Sequence, residues 1–251
     1  MRTAVFDAHA SRQQVLAAIT PDPATCHQLD TYVAHLHAWR GRINLIAQAE
    51  FPRLWQRHIL DSAQLLTPLL AHLKNIPSQN TPAKNPSTKN PIVLDIGSGG
   101  GFPAIVLAIL APKINFILVE SDGRKCGFLE SAIGACNLKN CQTINARVEH
   151  LPAMHPQPQV ITARAVASLT QLLKWTHPFH HPRLLCLFMK GGQVKKELDA
   201  LTALTRHNNY STLQTTLLPS ITHPDGCIVQ CSGFKPAPAP ATTAKNRQAH
   251  D

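Results

Sequence analysis

The feature that most constrains this chain is a glycine-rich stretch, IVLDIGSGGGFP, at residues 92–103. A short apolar run leads into it, and a second apolar run, AIVLAILAP, follows directly. Glycine tolerates positive φ angles and carries no Cβ, so a ligand can approach its backbone closely. A strand, a glycine turn and a helix in this order predict a ligand crevice at the carboxyl end of a strand.

Beyond residue 92, short apolar runs alternate with segments of helical character. We predict strands in IVLDI, NFILVE, CQTI, QVITA and LLCLFMK, and helices over 102–110, 123–137, 168–177 and 192–205. This alternation indicates an α/β fold, with a parallel sheet covered by helices on both faces. TTLLP and CIVQC are predicted to form a hairpin that closes one edge of the sheet.

The residues before the sheet are predicted to be helical, to about residue 73. Ser11 is suited to cap a first helix, and apolar residues then recur at helical spacing. We therefore divide the chain into four parts. They are a helical region at 1–74, a flexible linker rich in Asn, Pro, Ser, Thr and Lys at 75–91, the α/β domain at 92–234, and a disordered Pro/Ala-rich tail at 235–251.

The composition favours an anionic partner. The chain carries 24 Lys and Arg against 14 Asp and Glu, a net charge of +10, and nucleic acid is the commonest partner of such a protein. Its seven cysteines are scattered without a C-x-x-C pair, which excludes a disulfide framework and a zinc site. No secretory signal and no apolar run of the ~18 residues needed for a membrane helix is visible. We expect a cytoplasmic protein with neither a metal nor a membrane partner.

The residues around the glycine turn leave the nature of the ligand open. The dinucleotide pattern G-x-G-x-x-G is incomplete because Phe102 stands at its last position, and the Gly-Lys-Ser/Thr of a Walker loop is absent. Glu120 ends the next predicted strand, where a carboxylate can accept hydrogen bonds from ribose hydroxyls. An NAD enzyme places an acid similarly, so Glu120 indicates a ribose but not which cofactor carries it.

Asp95 and the glycines form D-x-G-x-G-x-G, which resembles motif I of the S-adenosylmethionine-dependent methyltransferases. Further stretches match one family of these enzymes, in order, over roughly residues 28 to 205. They are LHAWRGRINLIAQ (36–48), RHILDS (57–62), DIGSGGGFPAIVLAI (95–109), VESDGRKCGFLESA (119–132), ARVEHL (146–151), ITARAVASL (161–169) and LFMKGG (187–192). Together they resemble the ribosomal RNA small subunit methyltransferase G family, also called the glucose-inhibited division protein B family. The linker and the tail depart from its pattern, and neither contains a motif.

The resemblance implies a fold and an activity. The fold is the Rossmann-like fold of class I S-adenosylmethionine-dependent methyltransferases, with a mostly parallel seven-stranded sheet and an N-terminal helical extension. The activity is methyl transfer from S-adenosylmethionine to N7 of a guanine in the 530 loop of 16S ribosomal RNA. The partner is then this RNA or the small-subunit particle, and we expect a monomer.

The resemblance also implies the residues of the site. The cofactor-binding residues are expected to be Gly97, Gly99, Gly101, Phe102, Glu120, Val148, Glu149 and Arg164. The catalytic residues are expected to be Arg164, Lys190, Arg57 and His58. Guanine N7 carries a free lone pair in the major groove. Methylation there needs no general base, so catalysis can rest on the alignment of the reactants.

Some of these residues also have simpler interpretations. Asp95 can cap backbone N–H groups of the loop, and Lys190 can be a solvated strand end. Arg57 can pair with Asp61 at i,i+4 spacing, and His58 can be a packed core histidine. Glu149 can be a surface acid near a helix start.

The histidines of THPFHHP at 176–182 have no spacing that suits a helix-borne metal pair, and we predict a loop there.

The sequence leaves two further functions open. The first is a small-molecule methyltransferase on the same fold, which the basic charge and the RHILDS stretch disfavour. The second is a non-catalytic RNA-binding protein that keeps the fold, which the intact glycine loop, Glu120 and Arg164 disfavour.

Overall fold

The computed structural model describes residues 11–76, 90–152, 154, 157–205 and 210–236. The strands are β1 (Ile92–Ile96), β2 (Asn115–Glu120), β3 (Cys141–Asn145), β4 (Val160–Arg164), β5 (Leu185–Lys190), β6 (Gln214–Pro219) and β7 (Cys227–Ser232). They form one seven-stranded sheet in the order β3-β2-β1-β4-β5-β7-β6. Only β7 runs antiparallel to its neighbours β5 and β6 in this sheet. The predicted strands and the closing hairpin are confirmed.

The helices are α1 (Arg12–Ile19), α2 (Pro23–Trp39), α3 (Asp61–Ala63), α4 (Leu66–Lys74), α5 (Ala104–Leu110), α6 (Gly123–Ala135), α7 (Leu169–Thr176) and α8 (Val194–Thr205). Ser11 caps α1 as predicted, through a reciprocal pair of hydrogen bonds with Gln14. Asp22, Asp122 and Ser168 cap α2, α6 and α7 with their side chains. These short polar residues satisfy backbone N–H groups that the first helical turn leaves free.

The two faces of the sheet belong to two apolar clusters, because successive strand residues point to opposite sides. Val93 faces the cluster that contains residues of α5 and α6, whereas Leu94 faces the one that contains residues of α7 and α8. Residues of α1, α2 and α4 belong to the same cluster as α5 and α6. The N-terminal helices therefore share a core with the sheet.

The N-terminal region is less regular than the apolar pattern suggested. After α2 the chain forms turns at 40–47, a 3-10 helix at Gln48–Arg53 and a π-helix at Trp55–Leu60. Short π-helical segments are rare and often occur at functional sites. The predicted linker falls largely, and the predicted tail almost wholly, outside the residues that the structure describes.

The histidine-rich stretch is more ordered than the predicted loop. A 3-10 helix covers His177–Phe179, and His180 is buried with its ring against Phe234. Over the described ranges, no group of three or more His, Cys, Asp or Glu side chains is arranged to hold a metal ion. No helix within those ranges is long and apolar enough to cross a membrane.

Candidate cofactor and substrate site

Most of the predicted site residues lie at or just beyond the carboxyl ends of neighbouring strands, whereas Arg57 and His58 lie in the N-terminal π-helix. In the sheet β1 lies between β2 and β4, both parallel to it. The chain leaves β1 through the glycine loop (residues 97–101) towards β2, whereas β4 continues into residues 165–168 on the other side. Such a reversal of strand order opens a crevice beyond the strand ends, where α/β proteins bind ligands.

The glycine loop needs its glycines. Gly97, Gly99 and Gly101 have φ angles of +67°, +53° and +89°, which residues other than glycine rarely adopt. A Cβ on Gly97 would lie 2.4 Å from Cγ2 of Val166, whereas the nearest atom to a Cβ on Gly99 would be 3.8 Å away. The loop is therefore packed tightly at Gly97 and open at Gly99.

The side chain of Tyr32, in α2, holds the glycine loop in position. Its buried hydroxyl donates a hydrogen bond to the carbonyl oxygen of Gly100, and its ring centroid lies 5.4 Å from that of Phe102. Burial raises the pKa of Tyr32 well above its ordinary value, so the hydroxyl keeps its proton. Sequence analysis missed this role, although a hydroxyl on an apolar stripe signals a need for a hydrogen-bond partner.

Glu120 lies at the tip of β2 and contacts the loop. Its Oε2 accepts a hydrogen bond of 2.9 Å from the N–H of Gly99. Its Oε1 accepts bonds of 2.8 and 2.9 Å from the N–H groups of Ser121 and Asp122. A carboxylate offers about four acceptor positions, and these hydrogen bonds use three of them. The remaining position is on Oε2, the oxygen that faces Gly99. Glu120 is thus held at the loop with room for a further donor.

Asp95 is buried behind the glycine loop. Its Oδ1 accepts a hydrogen bond of 2.6 Å from the Thr162 hydroxyl, and its Oδ2 has no hydrogen-bond partner among the described residues. Burial raises the pKa of Asp95 to about 6, against the opposing effects of the Ser98 and Thr162 hydroxyls. The carboxylate therefore accepts a hydrogen bond from a hydroxyl of β4. It does not cap the backbone N–H groups of the loop, which was the simpler interpretation of this residue.

Arg164, at the end of β4, joins the crevice to the N-terminal region. Its Nη2 donates a hydrogen bond of 2.7 Å to the backbone oxygen of Arg57 and lies 3.3 Å from Oδ2 of Asp61. Its Nη1 lies 3.1 Å from Nδ1 of His58, and its guanidinium carbon lies 5.9 Å from the ring centroid of Phe102. Four groups therefore fix the position of this guanidinium.

The contact with Arg164 determines the protonation of His58. A guanidinium can only donate hydrogen bonds, so Nδ1 of His58 must be the acceptor and the neutral ring carries its proton on Nε2. Burial lowers the pKa of His58 to about 3, and the charges of Arg164 and Arg57 act in the same direction. His58 is neutral near pH 7, with its free lone pair engaged, and this geometry does not suit a general base.

The simpler interpretation of Arg57, an ion pair with Asp61, is wrong. Arg57 instead lies 3.3 Å from the carboxylate of Glu50, whereas Asp61 faces Arg164. The i,i+4 expectation assumes an α-helix, but Arg57 belongs to a π-helix, in which each turn contains more residues. Asp61 also accepts hydrogen bonds from Gln64 and from Thr222, in the turn between β6 and β7.

Lys190 is not a solvated strand end. Its side chain is only 8% exposed, and its ammonium lies 2.8 Å from Glu197 and donates a 2.6 Å hydrogen bond to the backbone oxygen of Ala167. The same oxygen of Glu197 accepts a hydrogen bond from the N–H of Leu169. Lys190 and Glu197 together hold residues 165–168 in place. Val166, in this stretch, packs against Gly97.

The last predicted cofactor residues lie beyond β3, which is paired with β2 in register from Cys141 to Asn145. Val148 is buried in the same apolar cluster as Ile96 and Ala163. Glu149 is exposed, with a carboxylate oxygen 3.9 Å from the Arg147 guanidinium. The structure thus brings the glycine loop, Glu120, Phe102, His58 and Arg164 together. Lys190 lies one strand away, and Val148 and Glu149 lie on the opposite side of the crevice.

Comparison with known proteins decides the family. The family model described as rRNA small subunit methyltransferase G (GidB) matches residues 25–221. The chain belongs to this family. It is 38% identical over 211 residues to the ribosomal RNA small subunit methyltransferase G of Gluconobacter oxydans, covering 84% of the chain and 95% of that protein. It is 36% identical over 224 residues to the protein of the same name from Cereibacter sphaeroides strain ATCC 17023, covering 87% and 96%.

The solved structures agree on the fold of this methyltransferase G family member. A putative O-methyltransferase from Klebsiella pneumoniae superposes with a TM-score of 0.52, covering 90% of this chain and 96% of that one. The two sequences are 13% identical, so the likeness concerns the fold alone. The fold is the Rossmann-like fold of class I S-adenosylmethionine-dependent methyltransferases, as predicted.

Proposed function

We propose that this protein transfers a methyl group from S-adenosylmethionine to N7 of a guanine in the 530 loop of 16S ribosomal RNA. Membership of the methyltransferase G family over most of the chain carries the proposal. The net charge of +10 supports an RNA substrate, because positive side chains replace the counterions of phosphates.

The residues of the crevice fit the proposed cofactor. Gly99 offers open backbone for the methionine part, and Glu120 retains an acceptor position for a ribose hydroxyl. Val148 and Glu149 would contact the adenine from the β3 side. When bound, the cofactor supplies an electrophilic methyl group on a positively charged sulfur. The carboxylate of Asp95 lies buried behind the loop and has an unpaired oxygen, so it adds negative potential beneath the same site.

The substrate side of the crevice needs to align the base and does not need to remove a proton. Guanine N7 is unprotonated and accepts the methyl group with its own lone pair. Arg164 is held rigidly by Asp61, His58 and the backbone of Arg57. Its role in this proposal is to orient the base beside Phe102, since a positioned reactant lowers the barrier without acid–base chemistry.

This proposal predicts a flat pH profile. The single-turnover rate constant for methyl transfer should change by less than about twofold between roughly pH 6.5 and 8.5, whereas a general base would give about tenfold per pH unit below its pKa. His58 has a pKa near 3, so it is already deprotonated throughout this range. The His58→Gln variant should show the same flat profile. A tenfold slope that disappears in His58→Gln would show that His58 removes a proton and that N7 is not the target atom.

The function itself is tested by labelled methyl transfer. The protein is incubated with radiolabelled S-adenosylmethionine and with either naked 16S ribosomal RNA or small-subunit particles, and the labelled nucleotide is mapped. We expect label on a single guanine, at N7. Label on another atom would contradict the assignment of the target. Binding of the RNA without transfer would indicate a non-catalytic RNA-binding protein, and transfer only to small molecules would indicate a small-molecule methyltransferase.

A further inference from the structure

We propose that residues 40–57, here called the arginine segment, form the surface that holds the RNA phosphates flanking the target base. This inference rests on the proposed function, because it names the part of the protein that receives the same RNA. The partner is defined by its chemistry: it has a phosphodiester backbone, and one of its bases enters the crevice.

The arginine segment runs beside the crevice. The backbone oxygen of Leu45 would lie 3.2 Å from a Cβ placed on Gly100, so the segment touches the glycine loop. At its other end the backbone oxygen of Arg57 accepts a hydrogen bond from Arg164. The segment therefore lines one side of the crevice from the cofactor loop to the proposed base-orienting arginine. The phosphates that flank a nucleotide in the crevice are therefore within reach of this segment.

The arginine segment is strongly basic. It contains Arg40, Arg42, Arg53 and Arg57 but only one acidic residue, Glu50. Glu50 lies within ion-pair distance of Arg53 and Arg57. Arg40 and Arg42 are exposed and form no ion pair with any described residue. Their charges are thus available to an external anion.

The guanidinium groups of Arg40 and Arg42 lie over aromatic rings. The guanidinium carbon of Arg40 lies 4.7 Å from the ring centroid of Phe51, and that of Arg42 lies 5.9 Å from the ring of Trp39. Aromatic faces attract guanidinium groups and limit their freedom, while the N–H groups at the guanidinium edge stay available. A phosphate suits this planar set of donors, because it accepts two parallel hydrogen bonds from one guanidinium.

The test measures how salt weakens the binding of a 16S ribosomal RNA transcript. We compare the wild type with the double variant Arg40→Gln/Arg42→Gln between roughly 50 and 200 mM salt, where each phosphate contact to a single strand contributes about 0.7 to the slope of log K against log salt. Without its two phosphate contacts, the double variant should have a slope that is shallower by about 1.4. Over this fourfold range of salt, the affinity of the wild type should therefore fall about sevenfold more than that of the double variant. Binding of S-adenosylhomocysteine, measured by calorimetry, should not change.

Two further variants make the result decisive. Arg183→Gln alters another exposed arginine, which lies just before the amino end of β5. The crevice lies at the other, carboxyl ends of the strands. It should keep the wild-type slope. Arg40→Lys/Arg42→Lys keeps both charges and should restore most of the slope, which a folding defect would not allow. An unchanged slope in the glutamine variant, or an equal loss in Arg183→Gln, would overturn the inference. Methyl transfer by the wild type tests the proposed function separately.

Discussion

The Gly97→Val variant should lose most of its affinity for S-adenosylhomocysteine. Valine at this position would have to adopt the φ of +67° that Gly97 shows, and its Cβ would lie 2.4 Å from Cγ2 of Val166. A left-handed conformation costs a residue other than glycine about 1–3 kcal/mol. The free loop would relieve this strain by leaving the conformation that binds the cofactor. At about 1.4 kcal/mol per tenfold change, restoring that conformation on binding lowers the affinity by roughly 5- to 150-fold, and the clash adds to this loss.

A matched control separates this effect from a general loss of stability. Gly127→Val makes the same substitution in α6, where no atom lies within 4 Å of the new Cβ and φ is not positive. Both variants are measured by calorimetry well below their unfolding temperatures. We expect wild-type binding from Gly127→Val only. Should Gly97→Val bind S-adenosylhomocysteine as the wild type does, the glycine loop is not the cofactor site.

The second large effect is expected at Arg164. Arg164→Ala should lower the single-turnover rate of methyl transfer by about 100-fold, the cost typical of losing one positioned donor. Asp61→Asn should lower the rate by less, about tenfold, because Arg164 keeps its contacts with His58 and with the backbone of Arg57. Rates are measured with saturating cofactor and RNA, so that weaker binding does not affect them.

A double-mutant cycle shows whether Asp61 acts through Arg164. If Asp61 serves only to position that guanidinium, Asp61→Asn should have no further effect on the rate in the Arg164→Ala background. Its effect on the free energy of unfolding should persist there, because Asp61 also accepts hydrogen bonds from Gln64 and Thr222. Additive effects on the rate would mean that Asp61 contributes independently of Arg164.

The sheet was predictable because its signals are local. An apolar run such as IVLDI is buried along its whole length, and the glycines that follow it are required by their own φ angles. The helix after the loop begins at Ala104, two residues later than predicted. The difference is physical: Phe102 and Pro103 belong to the turn, which extends beyond the last glycine.

The partners of the site residues were harder to predict, because they are distant in sequence. Tyr32 and Gly100 are separated by 68 positions, and Asp61 and Thr222 by 161. No periodic pattern reports such contacts. The pairing of Arg57 failed for another reason, since the spacing rule presumed a regular helix where the chain forms a π-turn. The family resemblance identified the residues, but only the fold shows what holds each of them.

The hydrogen bond from Tyr32 to Gly100 has a consequence for modularity. A fragment that starts within the 75–91 segment would contain the complete glycine loop but not the hydroxyl that fixes it. It would also expose the apolar side of α5 that α2 covers. A Cβ on Gly101 would lie 2.6 Å from Cδ1 of Ile105 and 2.8 Å from the same hydroxyl, so the packing of α2 and α5 leaves no room for a larger residue there. The N-terminal helices therefore support the glycine loop, and the α/β part without them would lack one of the contacts that hold it in place.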